Sequence, residues 1–274
     1  MNYCRICGTE TEFVSMDIKI ENGKNCLIKC LNCQSIFSQY QTPSFELQII
    51  YDGLFDSGEY EQHRNEFSKL ISGESTYFPY RKFLFNQVRR KLSGDFIVEI
   101  GGGVGAFGLY VTKKGYYYKN FDISPIAINY VNALGLSGIV FDPENLSTLD
   151  FDDANLVVMW EVIEHIWDVA GYLRKIYENL SSNGYLLLST PNIERKGYFN
   201  KLSKPSTSSP PIHINFFSEE TLRNCLLAAG FRNIRFFHKR LERPQLNLKR
   251  IYYHLQIFLG IEAVKNLYCW AQKK

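Results

Sequence analysis

Short apolar runs alternate with amphipathic stretches through the middle of the chain. The clearest run, F-I-V-E-I at 96–100, consists of β-forming residues around one acid and predicts a buried strand. Further apolar runs predict strands at 116–122, 138–141, 155–160, 185–189 and 231–238. Helical spacing predicts helices between them, and one more before the first strand, at 78–92. Such alternation is typical of an α/β fold with a doubly wound parallel sheet.

A glycine-rich turn follows the first strand. Gly101, Gly103 and Gly105 let the backbone turn tightly and approach a ligand closely, because no Cβ intervenes. Glu99 precedes the first glycine by two positions; it would repel a pyrophosphate but suits a ligand that carries an ammonium group. The second strand ends at Asp122, where an acid can accept hydrogen bonds from ribose hydroxyls or cap the next helix.

Five of the seven cysteines lie within the first 33 residues. Cys4 and Cys7 form one C-x-x-C pair, and Cys30 and Cys33 form a second. Two such knuckles complete a tetrahedral Zn²⁺ site, which with four thiolates is closed and therefore structural. Cys26 is a substitute ligand whose spacing to Cys30 suits a knuckle less well. Unliganded buried thiols are the alternative.

The chain divides into four units on these patterns. A zinc-binding knuckle unit covers 1–40, a helical cap or linker 41–92, the ligand-binding domain 93–240, and a basic amphipathic helical tail 241–274. The net charge is +3, but residues 232–274 alone carry a net +8. Such a segment can meet an anionic substrate or a membrane surface, or can be a solvated helix face. No apolar run reaches membrane-span length and the first residues lack a signal peptide's apolar core, so we expect a cytoplasmic protein.

The motifs, taken in order, resemble those of the class I S-adenosylmethionine-dependent methyltransferases. E-I-G-G-G-V-G at 99–105 is similar to their motif I, and F-D-I-S at 121–124 to their ribose-binding acid with its adenine-lining neighbours. D-P-E-N-L at 142–146 resembles the turn that contacts the adenine amine, and the E-V-I-E-H segment resembles the one after their fourth strand. Two further motifs, at 180–192 and 213–231, resemble the fifth strand and the late segment of the family.

This resemblance covers about 85–240 and implies a Rossmann-like sheet of about seven strands, the class I methyltransferase fold. It also implies S-adenosylmethionine as the methyl donor. The residues that would bind it are Glu99, Gly101, Gly103, Gly105, Asp122, Ile123, Asp142, Pro143, Trp160 and Glu161.

A four-cysteine unit ahead of this core is similar to a bacterial subgroup that modifies sugars, nucleotide sugars and polyketide glycosides. The resemblance implies a small-molecule or glycan acceptor, in surface polysaccharide or natural-product biosynthesis. For a hydroxyl acceptor, His165 is the first candidate base, because it follows the fourth strand and imidazole titrates near neutral pH. His213 is the second; either histidine can instead only pack or cap. Tyr77, Tyr80 and Tyr198 are weaker candidates for lining the acceptor site.

Three rival functions remain at this point. A zinc-ribbon protein that binds nucleic acid, or an RNA methyltransferase, fits the basic tail. The first 40 residues, however, lack a strong basic cluster, and the Asn/Asp-Pro-Pro-aromatic signature of base-amine methylases is absent, so no nucleic-acid partner is expected. An NAD-dependent enzyme is disfavoured by Glu99, and a catalytically silent scaffold is the third rival.

Overall fold

The computed structural model describes residues 3–16, 27–56, 79–198, 209–237 and 264–274. Its strands, in chain order, are β1 (Phe13–Ser15), β2 (Leu27–Cys30), β3 (Ile36–Ser38), β4 (Phe96–Ile100), β5 (Tyr117–Asp122), β6 (Ser137–Val140), β7 (Ala154–Trp160), β8 (Leu180–Pro191), β9 (Asn215–Phe216), β10 (Arg232–Phe236) and β11 (Asn266–Gln272).

The helices lie mostly between these strands. They are α1 (Ser44–Asp56), α2 (Pro79–Val88), α3 (Ala106–Thr112), α4 (Pro125–Ala133), α5 (Val169–Asn179) and α6 (Glu219–Ala228), with short 3₁₀ turns at Arg89–Lys91 and Leu146–Thr148. Within the described ranges, none of them combines the length and the apolar character that a membrane-crossing helix requires.

The larger sheet has seven strands in the order β10-β11-β8-β7-β4-β5-β6. The five from β8 to β6 run parallel, whereas β11 is antiparallel to β8 and β10 is antiparallel to β11. The chain steps outward from β4 to β6 and then returns to β7 on the other side of β4. This reversal opens a crevice at the carboxyl ends of β4 and β7, where open α/β sheets bind ligands. The expected α/β doubly wound sheet of about seven strands is thus confirmed.

Burial explains why the central strands carry apolar runs. Ile97, Val98 and Ile100 of β4 are fully buried, as are Val157 and Val158 of β7. Both faces of these strands are covered by helices, so the apolar positions are continuous and do not alternate.

The smaller sheet joins the N-terminal segment to a later part of the chain. Its order is β1-β2-β3-β9, and β3 pairs with β9 in the register Ile36↔Phe216. Apolar residues of this unit, such as Ile6 and Phe37, belong to the same buried cluster as Tyr172 of α5. The cysteine-rich segment therefore packs directly on the main sheet's helical layer.

Arg5 links the N-terminal cysteine-rich segment to the rest of the protein through several hydrogen bonds. Its Nη1 donates to the carbonyl of Trp167 at 3.1 Å, and its Nη2 donates to the carbonyls of Ser38 and Ile214 at 3.0 and 3.1 Å. The guanidinium carbon also lies 3.9 Å from the centroid of the Trp167 ring. Burial lowers the pKa of Arg5 to about 9. One side chain from the first knuckle thereby fixes segments that follow β7 and precede β9.

The predicted helical tail is wrong over its last residues. Residues 264–274 contain β11, which is inserted between β8 and β10, and not a helix. The run from Leu267 to Ala271 is buried throughout. Leu267, Cys269 and Ala271 belong to one buried cluster, and Tyr268 and Trp270 to the other, so both faces of β11 are covered. Residues 241–263 of the tail lie outside the described residues. So do residues 201–208 of a Ser/Pro/Lys-rich segment at 201–211 that the sequence predicts as a loop, and residues 57–78 of the predicted helical cap.

Candidate functional site

The glycine turn after β4 has the backbone geometry that its sequence predicts. Gly101, Gly103 and Gly105 have φ values of +68°, +53° and +76°, a region that side-chain-bearing residues rarely adopt. A Cβ built on Gly101 would overlap the Val162 side chain, whereas one built on Gly103 would meet no described atom within 4 Å. Gly103 is therefore the point of the turn where the backbone lies open to a ligand.

Two side chains of β5 hold this turn from below. Asp122 Oδ2 accepts a hydrogen bond from Gly103 N at 2.8 Å, and its Oδ1 accepts one from Ser124 N at 2.9 Å. Asn120 Oδ1 accepts from Gly102 N, and Asn120 Nδ2 donates to the Gly103 carbonyl, both at 3.1 Å. Burial raises the pKa of Asp122, and the hydrogen bonds from Ser124 and Gly103 oppose that rise. The helix cap at this point is Ser124, so Asp122 is left to support the turn.

Glu99 lies fully buried beneath the same turn. The hydroxyl of Tyr118 donates to its Oε2, and Arg81 Nη1 of α2 lies 4.0 Å from its Oε1. Burial raises the pKa of Glu99 to about 7, although Arg81 and the Tyr118 hydrogen bond work in the opposite direction. A carboxyl group that titrates near neutral pH at the base of a ligand cradle changes charge easily when a cation arrives.

Arg81 and Tyr118 are the side chains that contact the Glu99 carboxyl group, and the sequence analysis did not identify either of them. Tyr118, Asn120 and Asp122 alternate along β5, so they share the face that meets Glu99. The Y-x-N-x-D spacing beside a strand that ends in an acid is the signal that could have found Tyr118. Arg81 gives no such signal, because its contact depends on how α2 packs against the sheet.

Trp160 and Glu161 follow at the end of β7. The Trp160 ring is nearly buried and lies edge-on to Phe107, with 5.6 Å between centroids, and Arg81 lies 5.5 Å from its centroid. Glu161 has a φ of +57°, and its Oε2 accepts a hydrogen bond from Asn266 at 3.3 Å. The two residues predicted to bind the cofactor at this strand end therefore lie beside the Arg81–Glu99 pair.

The two predicted histidines are brought together, although 48 positions separate them. The rings of His165 and His213 lie 4.7 Å apart at 83°. His165 Nδ1 donates to the Ile212 carbonyl at 2.8 Å, and Glu164 Oε1 lies 4.0 Å from His165 Nε2. Burial lowers the pKa of His165 to about 4 and that of His213 to about 2, with the neighbouring His165 adding to the second shift. Both imidazoles are therefore neutral at neutral pH.

Helix α1 covers this edge of the sheet. Ser124 Oγ donates to Asp52 Oδ1 at 2.7 Å, and the Tyr51 ring lies 6.0 Å from the His165 ring. At the other end of the helix, Ser44 N donates to Glu144 Oε1 at 2.7 Å. Helix α1 thus covers both the segment after β5 and the segment after β7.

The predicted adenine turn lies next to the start of α1. Asp142 is exposed, and its Oδ1 accepts from the backbone N of Glu144 at 2.9 Å. The carbonyl of Pro143 accepts a hydrogen bond from the Tyr172 hydroxyl at 3.2 Å. Ile123, which follows Asp122 in the chain, is half-buried. The predicted cofactor residues that follow β4, β5, β6 and β7 accordingly line one edge of the sheet.

The four cysteines Cys4, Cys7, Cys30 and Cys33 have their sulfur atoms within 4.8 Å of one another. The Sγ atoms of Cys4 and Cys33 are 3.8 Å apart. Tetrahedral Zn–S bonds of about 2.3 Å place sulfur atoms about 3.8 Å apart, so this donor set fits a zinc ion. The hydrogen bond between these two side chains lowers the pKa of Cys33 to about 5 and raises that of Cys4, so without a metal ion the pair shares one proton. The alternative ligand Cys26 and the acceptor candidate Tyr77 lie outside the described residues.

The strand order, the open glycine turn and the acids beneath it define a Rossmann-like protein with a nucleoside-type ligand site. Residues 51–235 match a family model described as a methyltransferase domain, and the chain belongs to this family. The fold is also that of solved S-adenosylmethionine-dependent methyltransferases. The structure from Archaeoglobus fulgidus has a TM-score of 0.52 and 17% identity, and covers 70% of this chain and 94% of its own. The one from Mesorhizobium loti has a TM-score of 0.52 and 16% identity, and covers 69% and 97%.

Curated relatives support the same family. A probable S-adenosylmethionine-dependent methyltransferase of Mycolicibacterium smegmatis is 24% identical over 59% of this chain and 61% of its own length. One of Mycobacterium tuberculosis is 34% identical over 32% of this chain and 31% of its own length. The chain thus spans less than two thirds of the curated relatives that it matches. The resemblance to class I methyltransferases read from the motifs is confirmed at the level of family and fold.

The raised pKa of Glu99 predicts a pH-dependent stability for the ligand-free protein. The folded state holds the Glu99 proton up to about pH 7, whereas the ordinary value is 4.5. This contribution to stability is complete below pH 4.5 and is lost as the pH rises to 7. Between pH 4.5 and 7 the unfolding free energy of the wild type should therefore fall by about 3 kcal/mol more than that of Glu99→Gln. Urea unfolding at the two pH values measures this difference. Glu144→Gln, at an exposed acid of the same edge, is the control; an equal pH dependence in all three proteins would contradict the assignment.

Proposed function

We propose that this protein transfers a methyl group from S-adenosylmethionine to a hydroxyl group of a small-molecule or glycan acceptor. The observation that carries the proposal is the open turn at Gly103, with Glu99 beneath it and Asp122 bonded to it, at the carboxyl edge of a methyltransferase-family sheet.

These residues suit the methyl donor in separate ways. Glu99 Oε1 is buried with no hydrogen-bond partner among the described residues, so a donor's ammonium group can meet a carboxylate oxygen that still accepts. Asp122 uses one lone pair of each oxygen on the backbone, which leaves capacity for ribose hydroxyls. S-adenosylmethionine supplies a methyl group that is already activated, so the protein mainly has to position the acceptor and receive a proton.

The histidines provide the acceptor side. A neutral imidazole has one ring nitrogen with a free lone pair, which can accept the proton of a hydroxyl or bind a cation. Because its Nδ1 donates to the Ile212 carbonyl, His165 presents that lone pair at Nε2. The nearby α1 covers this side and reduces the access of water, which would otherwise compete with the acceptor.

We infer that the acceptor is a sugar or nucleotide sugar, as the four-cysteine unit ahead of the core suggests. Screening nucleotide sugars and glycolipids, with S-adenosylhomocysteine release as the readout, should identify turnover. His165→Ala should then lower turnover by about 10²-fold or more with donor affinity unchanged. Release with RNA and not with sugars would favour the nucleic-acid alternative. Full turnover by His165→Ala would remove this residue from the reaction.

We also propose that the four cysteines hold a structural zinc ion. The expected result is one zinc per chain in wild-type protein by atomic emission, and loss of zinc with a lower midpoint of thermal unfolding in Cys33→Ser. Cys269→Ser is the control, since Cys269 is buried on β11 and is not one of the four clustered cysteines, so its loss should leave the zinc content unchanged. Equal zinc content in both variants would contradict the site.

A glycine pair tests the donor site directly. Gly103 and Gly115 both have positive φ values, +53° and +87°, and a Cβ on either would meet no described atom within 4 Å. Alanine at either position should therefore cost a similar backbone strain, about 1–2 kcal/mol. Only Gly103→Ala should weaken S-adenosylmethionine binding, by about tenfold or more, because Gly115 lies at the far end of α3. Calorimetry that finds equal affinities for the two variants would reject the turn as the donor site.

A further inference from the structure

Three side chains of metal-binding type meet after the end of β7: Glu164, His165 and His213. One carboxylate oxygen and one nitrogen from each imidazole lie within 4.8 Å of one another. We propose that they bind a divalent first-row transition-metal ion, at a site separate from the four cysteines. Binding of the ion does not depend on the proposed function.

Two buried atoms of the cluster are left unpaired by the protein itself. Glu164 is 1% exposed and His213 is 9% exposed. Within the described ranges, Glu164 Oε1 and His213 Nδ1 have no hydrogen-bond partner. Leaving a buried polar atom unpaired costs about 1–3 kcal/mol, so the sequence retains two such atoms in one cluster at a cost in stability. A cation bound by both side chains would reduce this cost.

The other atoms of the same side chains are already fixed. His165 Nδ1 donates to the Ile212 carbonyl at 2.8 Å, which leaves the lone pair on Nε2, 4.0 Å from Glu164 Oε1. Thr190 Oγ1 donates to Glu164 Oε2 at 3.0 Å and so orients the carboxylate. Ligating histidines and carboxylates are held by this kind of outer hydrogen bond in known metal sites.

The donor set favours a particular class of ion. Two imidazoles and one carboxylate suit Mn²⁺, Fe²⁺, Co²⁺ or Zn²⁺ better than Mg²⁺ or Ca²⁺, which prefer oxygen donors throughout. Bonds of about 2.1 Å place neighbouring ligand atoms about 3 Å apart, so the side chains would close inward by less than about 2 Å.

Three protein ligands leave coordination positions open. If the proposed function is correct, an acceptor hydroxyl can occupy one of them, and the ion would orient it and lower its pKa. His165 would then act as a ligand and not as the base, because neither of its ring nitrogens would remain free.

The experiment is a Mn²⁺ titration of the zinc-loaded full chain near neutral pH, followed by electron paramagnetic resonance. Mn²⁺ favours oxygen and imidazole donors over thiolates, so it should leave the four cysteines undisturbed. Wild-type protein should bind one Mn²⁺ per chain. His213→Ala and the isosteric Glu164→Gln should each weaken binding by about tenfold or more. Asp152→Asn removes an equal charge from an exposed acid ahead of β7, and should bind Mn²⁺ as the wild type does.

Two results would overturn the proposal. One is the absence of saturable Mn²⁺ binding by the wild type at millimolar concentration. The other is equal binding by wild type and Glu164→Gln when both retain zinc and the same midpoint of thermal unfolding. Calorimetry with S-adenosylmethionine in parallel separates this outcome from failure of the donor site, because the two ligands use different residues.

Discussion

The half-buried side chain of Arg5 makes the contact on which the assembly of the site depends. It donates to carbonyls of three separate segments, at Trp167, Ser38 and Ile214, and lies against the Trp167 ring. Two of these carbonyls lie two residues after His165 and one residue after His213. Since Arg5 lies inside the first C-x-x-C knuckle, an ion that holds the knuckle also holds the arginine. Through Arg5, the cysteine-rich unit is therefore hydrogen-bonded to the two segments that carry the histidines.

The carboxyl edge of the sheet concentrates buried acids. Burial raises the pKa values of Glu99, Asp122, Glu161 and Glu164, and for Glu164 the neighbouring Glu161 adds to the effect. A fold does not collect four desolvated carboxyl groups for its own stability, since each disfavours its charged form. Cationic ligands relieve this cost, whether a ligand ammonium group at Glu99 or a metal ion at Glu164. The negative charge of these acids is thus complementary to the proposed ligands, a methyl donor with an ammonium group and a metal ion.

Much of this arrangement could be predicted from the sequence, because it is local. The apolar run of β4, its glycine turn and the acids that end β4 and β5 are specified by neighbouring residues. The pairing of β3 with β9, the insertion of β11 and the contacts of Arg5 join positions far apart in the chain. The periodicity of apolar residues reports local secondary structure and does not predict such long-range contacts. The prediction for the tail was wrong for this reason. Its basic character favoured a solvated helix, whereas its last apolar run forms β11, the strand between β8 and β10.

The histidines show how a correct choice of residues can still leave the chemistry open. Position after the fourth predicted strand selects His165, and position after the predicted loop selects His213. Only the folded chain shows their rings 4.7 Å apart, with Glu164 in the same cluster. A single buried imidazole whose pKa is lowered to about 4 is a weak base near neutral pH. Two neutral imidazoles that face an unpaired carboxylate oxygen are instead well suited to share a cation. The lowered pKa values therefore weaken the argument for a base, whereas the unpaired buried atoms Glu164 Oε1 and His213 Nδ1 in one cluster favour a bound cation.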